Sequence, residues 1–266
     1  MDSVSSVPNV SQLRRTEYTR LMADLILATD DSGGPEIFAS LQGEGPSMGR
    51  PVAFIRTSRC NLACTWCDTP YTWRFEGDNR PHRDGVEYER GANQVKLSPK
   101  EAAERIADLD QRRLVITGGE PLMQAGALAD MLSHLPDIDV EIETNGTVRP
   151  SAHIDIRVDQ YNVSPKLAHS GNPADLALIP ERLDFYASDP RAFFKFVVAD
   201  PCDVDEVDAL QKEHRIPKER LFLMPEGTDS NTLSSRQQWL APLCIEKGYR
   251  MSDRMHIHLY GDTRGT

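Results

Sequence analysis

The chain has 266 residues, with 30 Lys and Arg against 41 Asp and Glu and a formal net charge of −11 at pH 7. The length suits one large domain or two small ones, and the acidic balance argues against a protein that grips nucleic acid by phosphate neutralisation. No apolar run approaches the roughly 20 residues that span a bilayer, and residues 1–10 lack the apolar core of a signal peptide, so a cytoplasmic location is expected. In that compartment five cysteines, three of them clustered, read as ligands rather than disulfides. Cys202 and Cys244 stand alone and read as isolated buried or surface thiols.

In chain order, residues 1–34 read as an extension ahead of one domain over 35–266: a flexible start, a short docked helix over the apolar run 21–27, and a break at Gly33-Gly34-Pro35. Residues 36–41 alternate as a strand that ends in the turn Gln42-Gly43-Glu44-Gly45-Pro46. Residues 51–56 form a second strand with Arg56 at its end, on its own the position of a surface salt bridge. The stretch that follows holds Cys60, Cys64 and Cys67, with three and then two residues between them. Such a loop can curl its thiolates around one inorganic centre. Iron–sulfur clusters usually take four cysteines, so one metal position is left open.

Residues 70–95 read as a long polar loop over this centre, with His82 solvated. Ser98-Pro99-Lys100-Glu101 is a helix start with its own capping box. A strand over 113–116 opens onto Thr117-Gly118-Gly119-Glu120-Pro121, and a helix follows over 125–135. The strand at 140–143 ends in Thr144-Asn145-Gly146, and the one at 161–163 in Ser164-Pro165-Lys166. Residues 193–198 form a strand, a helix capped near Asp203 runs to His214, and 221–223 end in Met224-Pro225-Glu226-Gly227. A helix over 232–247 precedes a final strand with His256 and His258. Lys195, His134, His153, His169 and His214 read as structural or surface residues.

Strands alternating with helices, each strand ending in a small polar or glycine motif, predict an α/β fold. The specific expectation is an incomplete parallel β/α barrel of about six strands, its site built at one face.

The cysteine pattern with Trp66 before the last Cys, followed at a later strand end by Gly118-Gly119-Glu120-Pro121, resembles the radical S-adenosylmethionine enzymes. The resemblance implies that Cys60, Cys64 and Cys67 hold a 4Fe-4S cluster. S-adenosylmethionine would chelate the fourth iron, and its reductive cleavage would give a 5′-deoxyadenosyl radical. Contacts to that cofactor are implied for Trp66, Cys67, Asp68, the Gly118–Glu120 turn and Asn145. Ser164, Pro165, Lys166 and residues Met224, Pro225, Glu226 and Gly227 complete the implied set.

The flanks resemble the 7-carboxy-7-deazaguanine synthase family. That resemblance implies a pterin substrate, 6-carboxy-5,6,7,8-tetrahydropterin, contracted with loss of ammonia in the queuosine and deazapurine pathway. Leu41, Gln42, Gly43 and Glu44 are implied as the substrate turn, Arg56, Thr117 and His256 as substrate contacts, and Thr69 as a Mg²⁺ ligand. A flavodoxin or ferredoxin electron donor and a homodimer are implied as well. Two rivals are a glycyl-radical activase, which shares both motifs, and a non-catalytic zinc or iron–sulfur domain, which would need a fourth protein ligand.

Overall fold

The structure, a computed structural model, describes residues 23–266. Its strands are β1 (Leu25–Ala28), β2 (Ile37–Leu41), β3 (Pro51–Thr57), β4 (Gln94–Leu97) and β5 (Arg113–Gly118). They continue with β6 (Asp139–Thr144), β7 (Gln160–Val163), β8 (Ala192–Val198), β9 (Leu221–Pro225) and β10 (Arg250–Met251). The longer helices are α1 (Pro99–Ala107), α2 (Ala125–Ser133), α3 (Pro180–Ser188), α4 (Pro201–Glu213), α5 (Ser230–Lys247) and α6 (Met255–Tyr260).

Strands β3, β5, β6, β7, β8 and β9 pair in that order, all parallel, and the two-residue β10 continues the arc. On the other side β1 runs antiparallel to β3 and β4, and β2 pairs antiparallel with β3. Among the described residues β10 and β4 end the sheet without meeting, so the barrel is partial. Parallel neighbours require crossovers, and the helices between the strands supply them.

Local chemistry sets the helix ends. Ser98 Oγ accepts from Glu101 N at 3.3 Å while Glu101 Oε2 accepts from Ser98 N at 3.1 Å, the reciprocal pair that satisfies free donors at the start of α1. Asp200 caps α4, three residues before the expected Asp203, which instead completes the box. Asp229 caps α5, which stops at Gly248 in the left-handed region.

The period of two decides what each strand offers. Ala53, Ile55, Leu114, Ile116, Val140 and Ile142 face the helices and belong to the main core. Their neighbours Phe54, Arg56, Thr117 and Glu143 face the barrel interior and line its cavity. A small apolar floor of Val52, Phe54 and Val115, with Phe38 against it, lies on that inner face.

Three sequence expectations change. The apolar run expected to be a docked helix is, where described, the strand β1, so the sheet begins upstream of the boundary placed after Gly34; residues 1–22 of the expected extension lie outside the described residues. The closing strand with His256 and His258 is the helix α6. The loop over 70–95 ends in a one-turn helix and β4, and Tyr71, Trp73, Phe75 and His82 are buried within it. Among the described residues no helix is long and apolar enough to cross a membrane.

Candidate active site

The C-terminal ends of the parallel strands surround a cavity of about 400 Å³. Cys60, Cys64 and Cys67, on the loop leaving β3, all line it. Each of two thiols receives an N–H: Leu62 N donates to Cys60 Sγ at 3.4 Å, and Asn172 Nδ2 donates to Cys64 Sγ at 3.3 Å. Asn172 also fixes the loop backbone, accepting from Ala63 N at 2.9 Å. Burial pushes the Cys60 thiol up to about 12 and that of Cys67 up to about 11, and raises Cys64 as well.

Those observations test the fit of an iron–sulfur cluster. Donors aimed at sulfur suit thiolate ligands, and a buried thiolate needs a cationic centre to offset its desolvation. Among the described residues no three His, Cys, Asp or Glu side chains form a group that could hold one metal ion. A multi-iron cluster takes one thiolate per iron, which three thiols of one loop lining one cavity can supply. The indole Nε1–H of Trp66, at the cavity wall, is buried with no partner among the described residues, an unmet donor that a bound cofactor can satisfy. The residues fit the group.

The Gly-Gly turn has a steric reason within the fold. A Cβ on Gly118 would lie 2.0 Å from the Thr57 carbonyl oxygen, and one on Gly119 would lie 2.0 Å from that of Arg59. Both glycines therefore let the end of β5 press against the backbone that opens the cysteine loop, and both still line the cavity. Glu120 is fully buried and is not among the lining residues. Its carboxyl accepts from Leu122 N at 3.1 Å, Thr144 Oγ1 at 2.9 Å and Asn145 N at 2.8 Å. Glu120 thus braces the ends of β5 and β6 instead of presenting charge to the cavity. Burial raises its pKa to about 7.

Arg56 lines the cavity, and its Nε donates to Glu36 Oε1 at 2.7 Å. Burial would lower its pKa, but Tyr71 and Glu36 outweigh that and keep the guanidinium charged. Thr117 Oγ1 donates to Glu143 Oε2 at 2.7 Å. Gln42 Nε2 reaches both Glu141 Oε1 at 2.8 Å and Glu143 Oε1 at 3.1 Å, and Asn162 Nδ2 reaches Glu141 Oε1 at 2.6 Å. This inner face is a ladder of donors and acceptors at one edge of the cavity.

Charges lie beside this ladder. Glu44 is bound by Lys195 on one oxygen and by Arg254 Nε at 3.1 Å on the other. Burial alone would raise the Glu44 carboxyl, but Lys195, Arg254 and His256 hold it well below the usual carboxylate range. Burial likewise opposes the charge on Lys195, and Glu44 and Glu143 overcome it. Lys195, expected to be structural or on the surface, lines the cavity. Its sequence signal is a lone charge inside the apolar strand Ala192–Val198, where the period of two sends it inward. Arg254 and the tail residues Asp262 and Arg264 also line the cavity, and no local pattern marked them.

Of the two C-terminal histidines, His256 lines the cavity, while His258 is exposed and faces Ser230 at 3.0 Å and Asp253 at 3.3 Å. Gly43 makes room for it: a Cβ there would lie 2.2 Å from His256 Nδ1. Burial lowers the pKa of His256 against the pull of Glu44. Leu41, Asp68, Thr69, Asn145, Ser164 and Lys166 line the cavity, as do Met224 and Glu226. Pro165, Pro225 and Gly227 are not among the lining residues. His82 is no solvated loop residue, since its Nε2 lies 2.8 Å from the Cys67 carbonyl oxygen and its ring packs edge-on against Trp73. His169, expected to be structural, stacks on Trp66 with ring centroids 5.4 Å apart.

The description of the radical SAM superfamily matches residues 54–167, which span the cysteine loop, the Gly-Gly turn and the strand ends through β7. A 7-carboxy-7-deazaguanine synthase of Pyrobaculum aerophilum is 38% identical over 234 residues, covering 86% of this chain and 95% of the relative. The protein of the same name from Rhodopirellula baltica is 34% identical, covering 87% of each. Among solved structures, QueE from Escherichia coli superposes with a TM-score of 0.61 at 26% identity, covering 90% of this chain and 97% of that one. The cofactors of a radical SAM enzyme are a 4Fe-4S cluster and S-adenosylmethionine, and the cavity's thiols and wall suit both. The chain belongs to the 7-carboxy-7-deazaguanine synthase family of radical SAM enzymes.

Proposed function

We propose that the chain converts 6-carboxy-5,6,7,8-tetrahydropterin to 7-carboxy-7-deazaguanine with loss of ammonia, and that the cavity residues divide the work as follows. The observation that carries the reading is one cavity shared by three cysteine thiols, a charged arginine and a ladder of hydrogen-bonding side chains. Cys60, Cys64 and Cys67 would hold the cluster, which together with S-adenosylmethionine would supply the radical chemistry that begins with hydrogen removal at C6 of the pterin.

The side chains orient and desolvate. Arg56, already turned by Glu36, offers its terminal nitrogens to the substrate carboxylate as a two-pronged donor. Gln42, Thr117, Glu143 and Asn162 match the donors and acceptors on the edge of a flat heterocycle. Thr69, at the cavity wall, would hold Mg²⁺ through its hydroxyl, a hard oxygen donor suited to that ion. His256, its pKa lowered by burial, is a neutral hydrogen-bonding partner near pH 7. Ser164, Lys166, Met224 and Glu226 face the cofactor from the far rim. Arg83 Nη1 holds Glu226 at 2.6 Å, and Arg236 holds its other oxygen.

The electron comes from a flavodoxin or ferredoxin, the enzyme works as a homodimer in the cytoplasm, and its partner in the cavity is a small molecule. The test of the reaction assignment is isotopic. Turnover of pterin deuterated at C6 should place deuterium in 5′-deoxyadenosine; product formed with no such transfer would refute hydrogen removal from that carbon.

A further inference from the structure

Arg254 precedes α6 and is 6% exposed. Its guanidinium meets three segments of separate origin. Nε donates to Glu44 Oε1 at 3.1 Å in the turn after β2, Nη1 donates to the Gly227 carbonyl after β9, and Nη2 donates to Asp68 Oδ2 in the cysteine loop. The adjacent Met255 N donates to the Gly43 carbonyl at 3.0 Å, a second tie to the same turn. Lys195 anchors the remaining oxygen of Glu44 to β8. Asp68 lies between Cys67 and Thr69.

Glu44, which is buried, and Asp68, which is half-buried, are two carboxylates facing one cavity. Lys195 neutralises Glu44 from the β8 side, but only Arg254 donates to both carboxylates, so without it they would repel and their relative position depends on Arg254. A guanidinium spreads its donors over three nitrogens and so reaches three well-separated acceptors, whereas an ammonium gathers its donors on one nitrogen. The turn that meets the substrate and the loop that carries the thiols are therefore mechanically one unit.

We propose that Arg254 is a positioning residue for the reaction, fixing the cysteine loop relative to the substrate turn so that cofactor cleavage is productive only with the pterin seated. The inference rests on the functional reading above. Arg254 acts through Glu44 and Asp68, the two carboxylates it binds.

The test uses the reconstituted, reduced full chain as wild type, Arg254→Met and Arg254→Lys. Three quantities are read: iron and sulfide per chain, 5′-deoxyadenosine formed per product, and the change in the electron paramagnetic resonance of the reduced, cofactor-loaded cluster on adding pterin. Arg254→Met should keep iron and sulfide within about twofold, raise deoxyadenosine per product by about tenfold or more, and lose the spectral response. Arg254→Lys should fall between, and added guanidinium should improve coupling in Arg254→Met while leaving wild type unchanged.

A wild-type ratio and spectral response in Arg254→Met would overturn the inference. So would loss of cluster and turnover together in both variants with no rescue by guanidinium, the signature of a structural role alone. Wild type that makes no deazaguanine and ignores the pterin spectroscopically would refute the functional reading along with it. Wild type that turns over while Arg254→Met stays coupled refutes the inference only.

Discussion

Glu36 aims Arg56: its Oε1 accepts from Arg56 Nε at 2.7 Å, and its Oε2 accepts from the Tyr71 hydroxyl at 3.1 Å. Glu36 is fully buried, so the arginine is oriented before any ligand arrives. Arg56→Ala should spare the cluster and uncoupled cofactor cleavage while losing pterin turnover. Truncating one partner of a buried charge pair costs about 2–5 kcal/mol, on the order of a hundredfold or more in kcat/KM. Glu36→Gln keeps an acceptor but not the charge, and should raise KM about tenfold with kcat near wild type. Steady-state kinetics beside iron analysis checks both, and normal turnover by Arg56→Ala would remove the substrate assignment.

The Gly-Gly turn makes a steric prediction. Gly118→Ala and Gly119→Ala each place a methyl group 2.0 Å from a carbonyl oxygen of the segment opening the cysteine loop. Overpacking of this kind costs roughly 1–3 kcal/mol, and Gly118 adds strain from its φ of +126°. Both variants should unfold several degrees below wild type and reconstitute with less iron. A variant with unchanged melting and full iron would mean the backbone contact does not position the loop.

Ligand assignment separates the cysteines. Cys60→Ala, Cys64→Ala and Cys67→Ala should each abolish cluster and activity, whereas Cys202→Ser, exposed on α4, should leave both unchanged. Iron and sulfide determination after anaerobic reconstitution reads the difference. A cluster retained without Cys64 would break the three-ligand account.

How much of this was legible in the sequence follows the range of each interaction. The alternation of strands with helices, the capping box at Ser98 and Glu101, and the cysteine loop are written in residues a few positions apart, and the structure keeps them. The apolar run 21–27 suggests a helix because it carries no period of two, whereas its described part belongs to β1, whose pairing with β4 joins residues about seventy apart. Lys195 meets Glu44 across 151 positions, and Arg254 meets it across 210. No local pattern encodes a partner at that distance, so the charged edge emerged only when the strands were placed. His82 departs from its expected solvated setting for the same reason, as its contacts to Cys67 and Trp73 are made by a folded loop.

Glu120 carries a pH signature. Burial raises its folded pKa from 4.5 to about 7, so the native state binds a proton that the unfolded chain has released across that interval. Its contribution to stability is fully present below pH 4.5 and is lost as pH rises through 7, on the order of 3 kcal/mol in all. Glu120→Gln should be less stable at low pH, because its amide NH₂ meets backbone donors, but should lack this decline. Chemical denaturation at several pH values between 4.5 and 7 compares the two slopes, and parallel profiles would assign the titration elsewhere.

The central claim is that the thiol loop and the arginine-lined wall serve one reaction on one pterin. The most direct measurement is anaerobic incubation of reduced, reconstituted protein with S-adenosylmethionine, Mg²⁺ and 6-carboxy-5,6,7,8-tetrahydropterin, with products identified by mass. The account predicts 7-carboxy-7-deazaguanine, formed together with ammonia and dependent on all three cysteines. Stoichiometric zinc with no iron or sulfide, or cofactor cleavage that yields no deazaguanine from this pterin, would contradict it.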